Sequence, residues 1–560
     1  MDVLRQWGVP LVAELRDSQS YVLLTGLGRS LFDYQSASVR QHQEDWAPLL
    51  RFGDLRVESG HGDLSGWFDL ADQQVRRVTV EADLRLLGLR NTAAGSAMQQ
   101  LDRLQVLGRW QRRGAVWSID VPQLQVVRNG LRSDMGDLSL DLGPQWVRVQ
   151  ARHINGGMLA PVAGLLPWLP ERLRQYLQQS ELSGTLSDVA FERRNGRILK
   201  LGGAARDVSV AATAGFPGIE KLNASVSGNH GQWAIRFPGG APMRWIQPTR
   251  FGEPLTLRPK GTVSVVREGD GLAFASSDLQ LVVEGISAQV QGQVHWPTTG
   301  GKKPTLNLQV QSDRVPLSAV RKLLPQDRLP PPALHWLQQA FLDGAARQVD
   351  ASFRGNLGDW PFAGQAGMGL QVRARIDSAT IQFAPGWPAA TQVNGNATFS
   401  NDGFQVRGTG RVDQIRVGDL RAEIDHYRGG LLKVRAGSVG DASAAMSMLA
   451  KSPIAKNDLA TFANLKLRGP VRSGFALDLP LRRSTQLEIH GFAELQNVTA
   501  TDPRYKLTLD NLRGRGEYDR FGFVAPRLQG KRRGQSAELA VRVGPQHVTT
   551  DGNLVEVALA

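Results

Sequence analysis

The amino-acid sequence predicts an all-β protein with a few short helices, built on an elongated, twisted antiparallel β-sheet. Three observations favour this fold class. Apolar and polar residues alternate along most of the chain, turn signals separate the alternating stretches, and glycine is enriched to 61 of 560 residues. A strand that alternates in this way buries only one face, which is typical of antiparallel meanders and not of a parallel sheet covered on both sides.

The alternation is clearest in two stretches, residues 78–86 and 286–296. An alternation with period two places every second side chain on the same side of a strand. Turn signals such as Glu268–Gly271 and Asn401–Gly403 lie between such stretches and predict the connections. Shorter stretches with the same period occur at 138–142, 306–310, 370–376, 505–509 and 539–543.

Helical spacing is found at two places, residues 170–177 and 332–341. Each begins with a proline, a residue that suits the first turn of a helix. Leu-Leu-Pro precedes both helices, at 165–167 and at 323–325, and similar markers follow both in the same order. The agreement predicts a duplication with a period near 160 residues, although chance agreement of common residues is the alternative. The predicted portions are an N-terminal β-rich portion at 1–160, a first β module at 161–322 and a second β module at 323–560, each module opened by a proline-led helix.

The second of these helices has one apolar face. Leu334, Leu337 and Phe341 share that face, and we expect them to pack on the sheet. The other face carries Gln338 and Gln339, which we expect to lie in water.

Catalytic and cofactor motifs are missing from the sequence. There is no cysteine, which excludes disulfides, thiolate metal sites and a cysteine nucleophile. The nine histidines are well separated, so no close pair has the spacing of metal ligands. The short glycine motifs, for example Gly26–Gly28, lack the remaining glycines of a nucleotide-binding loop. We therefore predict that the protein is not an enzyme and has no cofactor and no metal site.

The positive charge does not indicate a nucleic-acid partner. The net charge is +14, but the basic residues are dispersed in runs of two or three, such as Lys531–Arg533. Nor is a membrane signal found, because Pro10, Glu14 and Arg16 interrupt the apolar residues near the start. The most apolar window, 158–170, is too short to span a bilayer. We expect this chain neither to enter nor to cross a membrane by itself.

A long one-faced sheet must cover its apolar face. It can meet another sheet, curl round on itself or bind an apolar ligand. Acyl chains are a suitable ligand, because exposing two chains of about 16 carbons to water costs on the order of 25 kcal/mol. A twisted groove with its apolar face inward and a set of β-sandwiches with filled cores both remain open on the pattern alone. The residues that would line a groove are Ile286, Val290, Val294, Leu306, Leu308, Val310, Leu370, Val372 and Ile376.

Particular segments resemble a known family. The run from Leu-Leu-Pro at 323–325 through the predicted helix to Gly344 carries the resemblance, as do residues 355–362, 383–388 and 393–399. Together they resemble the AsmA-like family, most specifically over about 320–425. The resemblance implies a rod-shaped β-groove protein of the Gram-negative envelope, located in the periplasm and associated with the inner membrane. It also implies a role in moving phospholipid to the outer membrane.

The resemblance narrows the function to two hypotheses. The first is a segment of an envelope protein that carries phospholipid along a hydrophobic β-groove between the inner and outer membranes. Its partners would be phospholipid acyl chains and the two membranes or their proteins, with no nucleic acid. The alternative is a non-catalytic envelope scaffold that assists outer-membrane assembly. Family members begin with an inner-membrane helix that this sequence does not show, so we expect the chain to be a piece of a longer protein.

Overall fold

Strands follow one another along the chain wherever apolar and polar residues alternate. The computed structural model describes 29 strands and few helical residues, and every strand pairing that it defines is antiparallel. The prediction of an all-β protein with a few short helices is therefore confirmed. The structure describes residues 51–52, 55–71, 74–91, 98–158, 181–213, 217–298, 302–327, 331–359, 368–426, 430–451, 464–480, 488–550 and 555–560.

The chain divides into two units, of which the first ends at Leu279 and the second begins at Gln280. The short segment Thr249–Phe251 belongs to the second unit. The first proline-led helix and the predicted boundary near residue 160 lie outside the described residues, so the predicted modules stay a prediction.

The first unit is a meander in which each strand from β1 to β10 pairs with the next. The next two strands, β11 and β12, are short and lie end to end between β10 and β13. Each of them pairs with both β10 and β13. The strands are β1 Arg51–Phe52, β2 Leu55–Ala71, β3 Gln74–Asn91, β4 Gln99–Arg113, β5 Val116–Arg128, β6 Leu131–Gly143, β7 Trp146–Asn155, β8 Ser183–Arg194, β9 Arg197–Val210, β10 Gly218–Asn229, β11 Gln232–Pro238, β12 Met243–Ile246 and β13 Leu255–Glu268. Strand β14, Gly271–Val283, crosses the boundary between the units.

Apolar side chains from one face of β2 to β7 form the core of the first unit. This face is packed into a filled cluster because large aliphatic residues from successive strands meet there. Leu87 at 2% exposure lies near its centre. The buried members are Val57, Leu87, Leu89, Leu101, Val126, Met135, Ala151 and Ile154.

The second unit continues as a meander from β15 to β22. Strand β22 pairs with β24, the short strand β23 pairs with β25, and the order β24 to β29 is again sequential. The strands are β15 Ile286–Pro297, β16 Thr305–Pro316, β17 Phe341–Asn356, β18 Gly369–Ile381, β19 Ala390–Ser400, β20 Gly403–Val412, β21 Ile415–Ile424, β22 Leu431–Asp441, β23 Lys466–Arg468, β24 Pro470–Pro480, β25 Glu488–Asp502, β26 Leu507–Asp519, β27 Gly522–Arg532, β28 Gln535–Val543 and β29 Val555–Leu559.

The described helices are short. They are α1 Pro248–Phe251, α2 Leu317–Val320, α3 Pro331–Ala340 and α4 Ala442–Ala450, with 3₁₀ turns at Gly156–Met158, Arg321–Leu323 and Leu357–Asp359. Helix α3 matches the predicted second helix, and the predicted exposure of Gln338 and Gln339 is confirmed. The placement of Phe341 on that helix is wrong, because the helix ends at the buried Ala340 and Phe341 begins β17, where it pairs with Ile381.

Three apolar residues in the predicted alternating stretches are largely exposed. Leu86 is 66% exposed, since a positive φ of 51° interrupts the pleat of β3 and turns its side chain outward. Trp296 is 56% exposed near the end of β15. Tyr505 is 73% exposed and precedes β26, in the turn before Leu507. The predicted alternation is therefore wrong at Leu86, and Tyr505 lies outside the strand that was predicted to include it.

Candidate functional site

The nine predicted lining residues lie on β15, β16 and β18 of the second unit. Ile286 is buried at 6% exposure, and the other eight are half-buried. A residue in the middle of a filled core would be sealed on all sides, whereas these side chains keep part of their surface accessible. The alternation thus forms a face that is apolar without being closed.

The strand register pairs four of these residues directly with one another across the sheet. Val290 pairs with Val310, and Val294 pairs with Leu306. Residues paired in this way point to the same side of the sheet. Gly292 lies between the two pairs, opposite Leu308. Its φ is 129°, and a side chain there would overlap the carbonyl oxygen of Asn307, so glycine is required at this point.

The row that starts at Val290 continues across nine strands. Each member pairs with the next, so all of them lie on one side of the sheet. Its aromatic part is Phe399 and Phe404, whose ring centroids are 6.0 Å apart, and Phe399 is 39% exposed. The row consists of Val290, Val310, Ala351, Val372, Phe399, Phe404, Ile424, Leu432 and Leu479.

A second row on the same face crosses thirteen strands. Its twelve spacings of about 4.8 Å give a length of about 58 Å along the sheet. Tyr518 is its one member with a polar group, and the other members are aliphatic, glycine or phenylalanine. The row consists of Val315, Ala346, Ile376, Gly395, Gly408, Leu420, Ala436, Phe475, Gly491, Tyr518, Phe523, Val543 and Val555. We call the surface formed by these two rows the apolar face.

One end of the apolar face is closed by a packed cluster. Leu317 of α2 is 5% exposed and packs with Ala346, Ala379 and Val393. Ile376 contacts this cluster, so it belongs to a packed part of the face, unlike Val290 and its neighbours. The helix covers only the end of the strands, which leaves the middle of the face half-buried.

The opposite face of the same strands is polar and carries its own hydrogen bonds. The amides of Gln309 and Gln311 donate to the carboxylate of Asp350, at 3.2 and 3.1 Å, and these bonds lower the pKa of Asp350. Arg435 donates two hydrogen bonds to Asp478, at 2.6 and 3.0 Å, and lowers the pKa of that carboxyl in the same way. Every ionised group named here is therefore on the face away from the apolar rows.

Sequence reasoning missed more than half of the apolar face. Alternation was a usable signal in three further strands, at 404–408, 420–424 and 475–479, where the same period occurs. In β17 and β25 bulges shift the register and break the period within the strand.

The described part of the chain offers no chemistry of another kind. Among those residues no group of three or more His, Cys, Asp or Glu side chains could hold a metal ion. No helix found there has the length and the apolar character needed to span a membrane.

Known proteins resemble the chain in sequence. The family model described as YhdP protein matches residues 28–559. The intermembrane phospholipid transporter YhdP of Escherichia coli (strain K12) is 21% identical over 434 residues, which cover 75% of this chain and 34% of the relative. The chain thus spans about a third of the length of this curated relative. No solved structure matches.

Proposed function

The chain belongs to the YhdP protein family, and we propose that its apolar face carries phospholipid acyl chains between the inner and outer membranes of the cell envelope. The observation that carries this proposal is the pair of apolar rows, which cross nine and thirteen strands and contain one polar side-chain group, the hydroxyl of Tyr518. The name of the relative, an intermembrane phospholipid transporter, supports the choice of ligand.

The energetics of lipid transfer explain why continuity matters. Each CH₂ group exposed to water costs about 0.8 kcal/mol, so a break in the apolar path raises a barrier that grows with every carbon. A row in which each apolar residue pairs with the next keeps an acyl chain in contact with carbon at every strand. The headgroup needs no such path, because it can stay in water at the rim of the face.

The protein in this proposal needs no catalytic residue. The lipid is moved without covalent change, so binding and release along the face are sufficient. The chain would act in the periplasm, with the two membranes or their proteins as partners. The nine residues predicted from sequence would form part of the path, with Ile376 at the closed end.

Native mass spectrometry of the gently purified chain tests this proposal. We expect phospholipid to stay bound, in a ratio that falls when detergent competes for the apolar face. The alternative is an envelope scaffold, which the packed clusters among the described residues would suit. A chain that carries no lipid after gentle extraction, and takes none up from vesicles, would favour that scaffold.

A further inference from the structure

A cavity of about 600 Å³ lies in the second unit, beyond the ends of β17, β18 and β19. Helix α3 and the connection between β18 and β19 form its walls, and Lys451, directly after α4, completes it. Two indole rings, those of Trp336 and Trp387, line it. It is an open cleft with apolar and polar walls, and its volume is within the range of small-molecule sites.

Hydrogen bonds hold one of the indoles and the backbone that carries the other. The ring nitrogen of Trp336 donates to the carbonyl oxygen of Phe383 at 3.0 Å, which ties α3 to the β18–β19 connection. The amide of Gln382 donates to the carbonyl oxygens of Ala384, at 2.7 Å, and Trp387, at 2.8 Å. The connection is thus fixed from within, so the cavity is formed before any ligand arrives.

Lys451 supplies the positive charge of the cavity. Its ammonium donates to a carboxylate oxygen of Asp413 at 2.9 Å, which fixes its position. An ammonium has three protons to donate, so it can bind Asp413 and an anionic ligand at the same time. His335 and Gln339, exposed on α3, bring further polar groups to the same cavity.

The cavity adjoins the closed end of the apolar face. The ring of Trp336 makes an edge contact with Phe341, with centroids 6.3 Å apart. Phe341 in turn packs against the cluster around Leu317 and Ala379. A molecule bound at the indoles would therefore have its apolar part next to the apolar face and its anionic part at Lys451.

We propose that this cavity binds the phosphate-bearing headgroup and glycerol of one glycerophospholipid. The inference rests on the proposed function, since it assigns a headgroup site to the same ligand. Lys451 binds the phosphate, His335 and Gln339 face the polar part, and Trp336 and Trp387 pack against the glycerol. Indoles suit this place because they combine an apolar body with a polar edge.

Isothermal titration calorimetry of the full chain tests the site. The probe is dihexanoyl-phosphatidylglycerol below its critical micelle concentration, with glycerophosphoglycerol and inorganic phosphate as separate titrants. We expect saturable binding of the lipid that weakens about tenfold in Lys451→Gln, the loss of one charge-assisted contact. Trp387→Leu should weaken it as well. The matched control is Lys433→Gln, on a lysine that also pairs with an aspartate, at 3.3 Å, and should leave the affinity unchanged.

Several outcomes would overturn the inference. If inorganic phosphate binds as tightly as the lipid, the cavity is a simple anion site. If neither Lys451→Gln nor Trp387→Leu changes the affinity while both keep the wild-type circular dichroism, the lipid binds elsewhere. In that case the proposed function stands as long as the chain retains phospholipid in native mass spectrometry. A chain that retains none contradicts the proposed function itself.

Discussion

Tyr518 on β26 donates its hydroxyl to the carbonyl oxygen of Gly474 on β24, at 2.9 Å. To do so it crosses β25, where its paired residue is Gly491. The ring covers the glycine, a device that fills the gap a missing side chain leaves in a sheet. The two rows thus contain one polar side-chain group, and a backbone carbonyl of the same sheet accepts its hydrogen bond.

The burial of Tyr518 predicts a loss of stability in alkali. Burial raises the pKa of Tyr518 to about 12, above the value near 10 of an unfolded chain. The folded state favours the neutral phenol. The contribution of Tyr518 to the free energy of unfolding is therefore fully present below pH 10, and it is lost as the pH rises towards 12. We expect Tyr518→Phe to lower stability by about 1 kcal/mol at pH 7 through the lost hydrogen bond. Guanidinium unfolding at a series of pH values should show that the free energy of unfolding declines less in alkali for Tyr518→Phe than for the wild type. An identical decline in both proteins would contradict the raised pKa of Tyr518.

Close approach at Gly491 predicts a steric cost for any larger residue. A methyl group there would overlap both the Tyr518 hydroxyl and the Gly474 carbonyl oxygen. We expect Gly491→Ala to destabilise the protein by about 1–3 kcal/mol, as overpacking does. Gly418→Ala is the control, since a Cβ at Gly418 meets open space, and it should change stability by less than about 0.5 kcal/mol. Thermal melting followed by circular dichroism measures both, and equal melting temperatures would show that the ring moves aside freely.

A charged residue introduced on the apolar face has different effects if that face is open and if it is a sealed core. Val290 is half-buried, and its neighbour Gln291 is exposed on the other face of β15. We expect Val290→Asp to keep the fold and to lose retained phospholipid, because the carboxylate interrupts the path of the acyl chains. Gln291→Asp should change neither property. Melting temperature and native mass spectrometry of the two variants give the answer. A collapsed melting temperature in Val290→Asp would indicate a sealed core, where a buried charge costs several kcal/mol.

The ion pair between Arg435 and Asp478 on the polar face predicts part of the loss of stability in acid. Arg435 lowers the pKa of Asp478 below its unfolded value near 4. A lowered carboxyl pKa stabilises the fold above about pH 4, and the contribution is lost as the pH falls through the folded value. Asp478→Asn should cost about 1 kcal/mol at pH 7, allowing for solvent screening of a pair whose arginine is 43% exposed.

The free energy of unfolding of Asp478→Asn should decline less steeply in acid than that of the wild type. Urea unfolding between pH 7 and pH 2 measures this decline. The control is Asp419→Asn, on a carboxylate that is 68% exposed beside Arg421. Acid profiles that coincide for Asp478→Asn and the wild type would indicate that the pair is fully screened.

Several properties of this chain could be predicted because they are local. The period of two in β15, β16 and β18 assigned the side of every residue from Ile286 to Val294, from Leu306 to Val310 and from Leu370 to Ile376. The missing thiols and nucleotide-binding motifs could be read from the sequence in the same way. The resemblance over about 320–425 also predicted the AsmA-like family, which the matches to YhdP confirm.

Helix ends and bulges depend on more than the local pattern. Phe341 continues the helical spacing of Leu334 and Leu337, yet it begins a strand because pairing with Ile381 satisfies its backbone. Leu86 continues an alternation, yet it points outward where the strand is bulged. Helix α4 has no strong amphipathic pattern, and it begins where Asp441 accepts hydrogen bonds from Ser443.

The sequence by itself determined which residues share a side in the regular stretches of the strands, because the pleat fixes side-chain direction wherever no bulge interrupts it. Only the tertiary structure decided which strands lie next to each other and in which register. Register joins Val290 to Leu479 in one row, and it brings Trp336, Trp387 and Lys451 to one cavity although they are far apart in the chain. These contacts depend on backbone hydrogen bonds between distant residues, and such bonds are nearly alike for every residue type, so the composition of a single strand does not encode its partner.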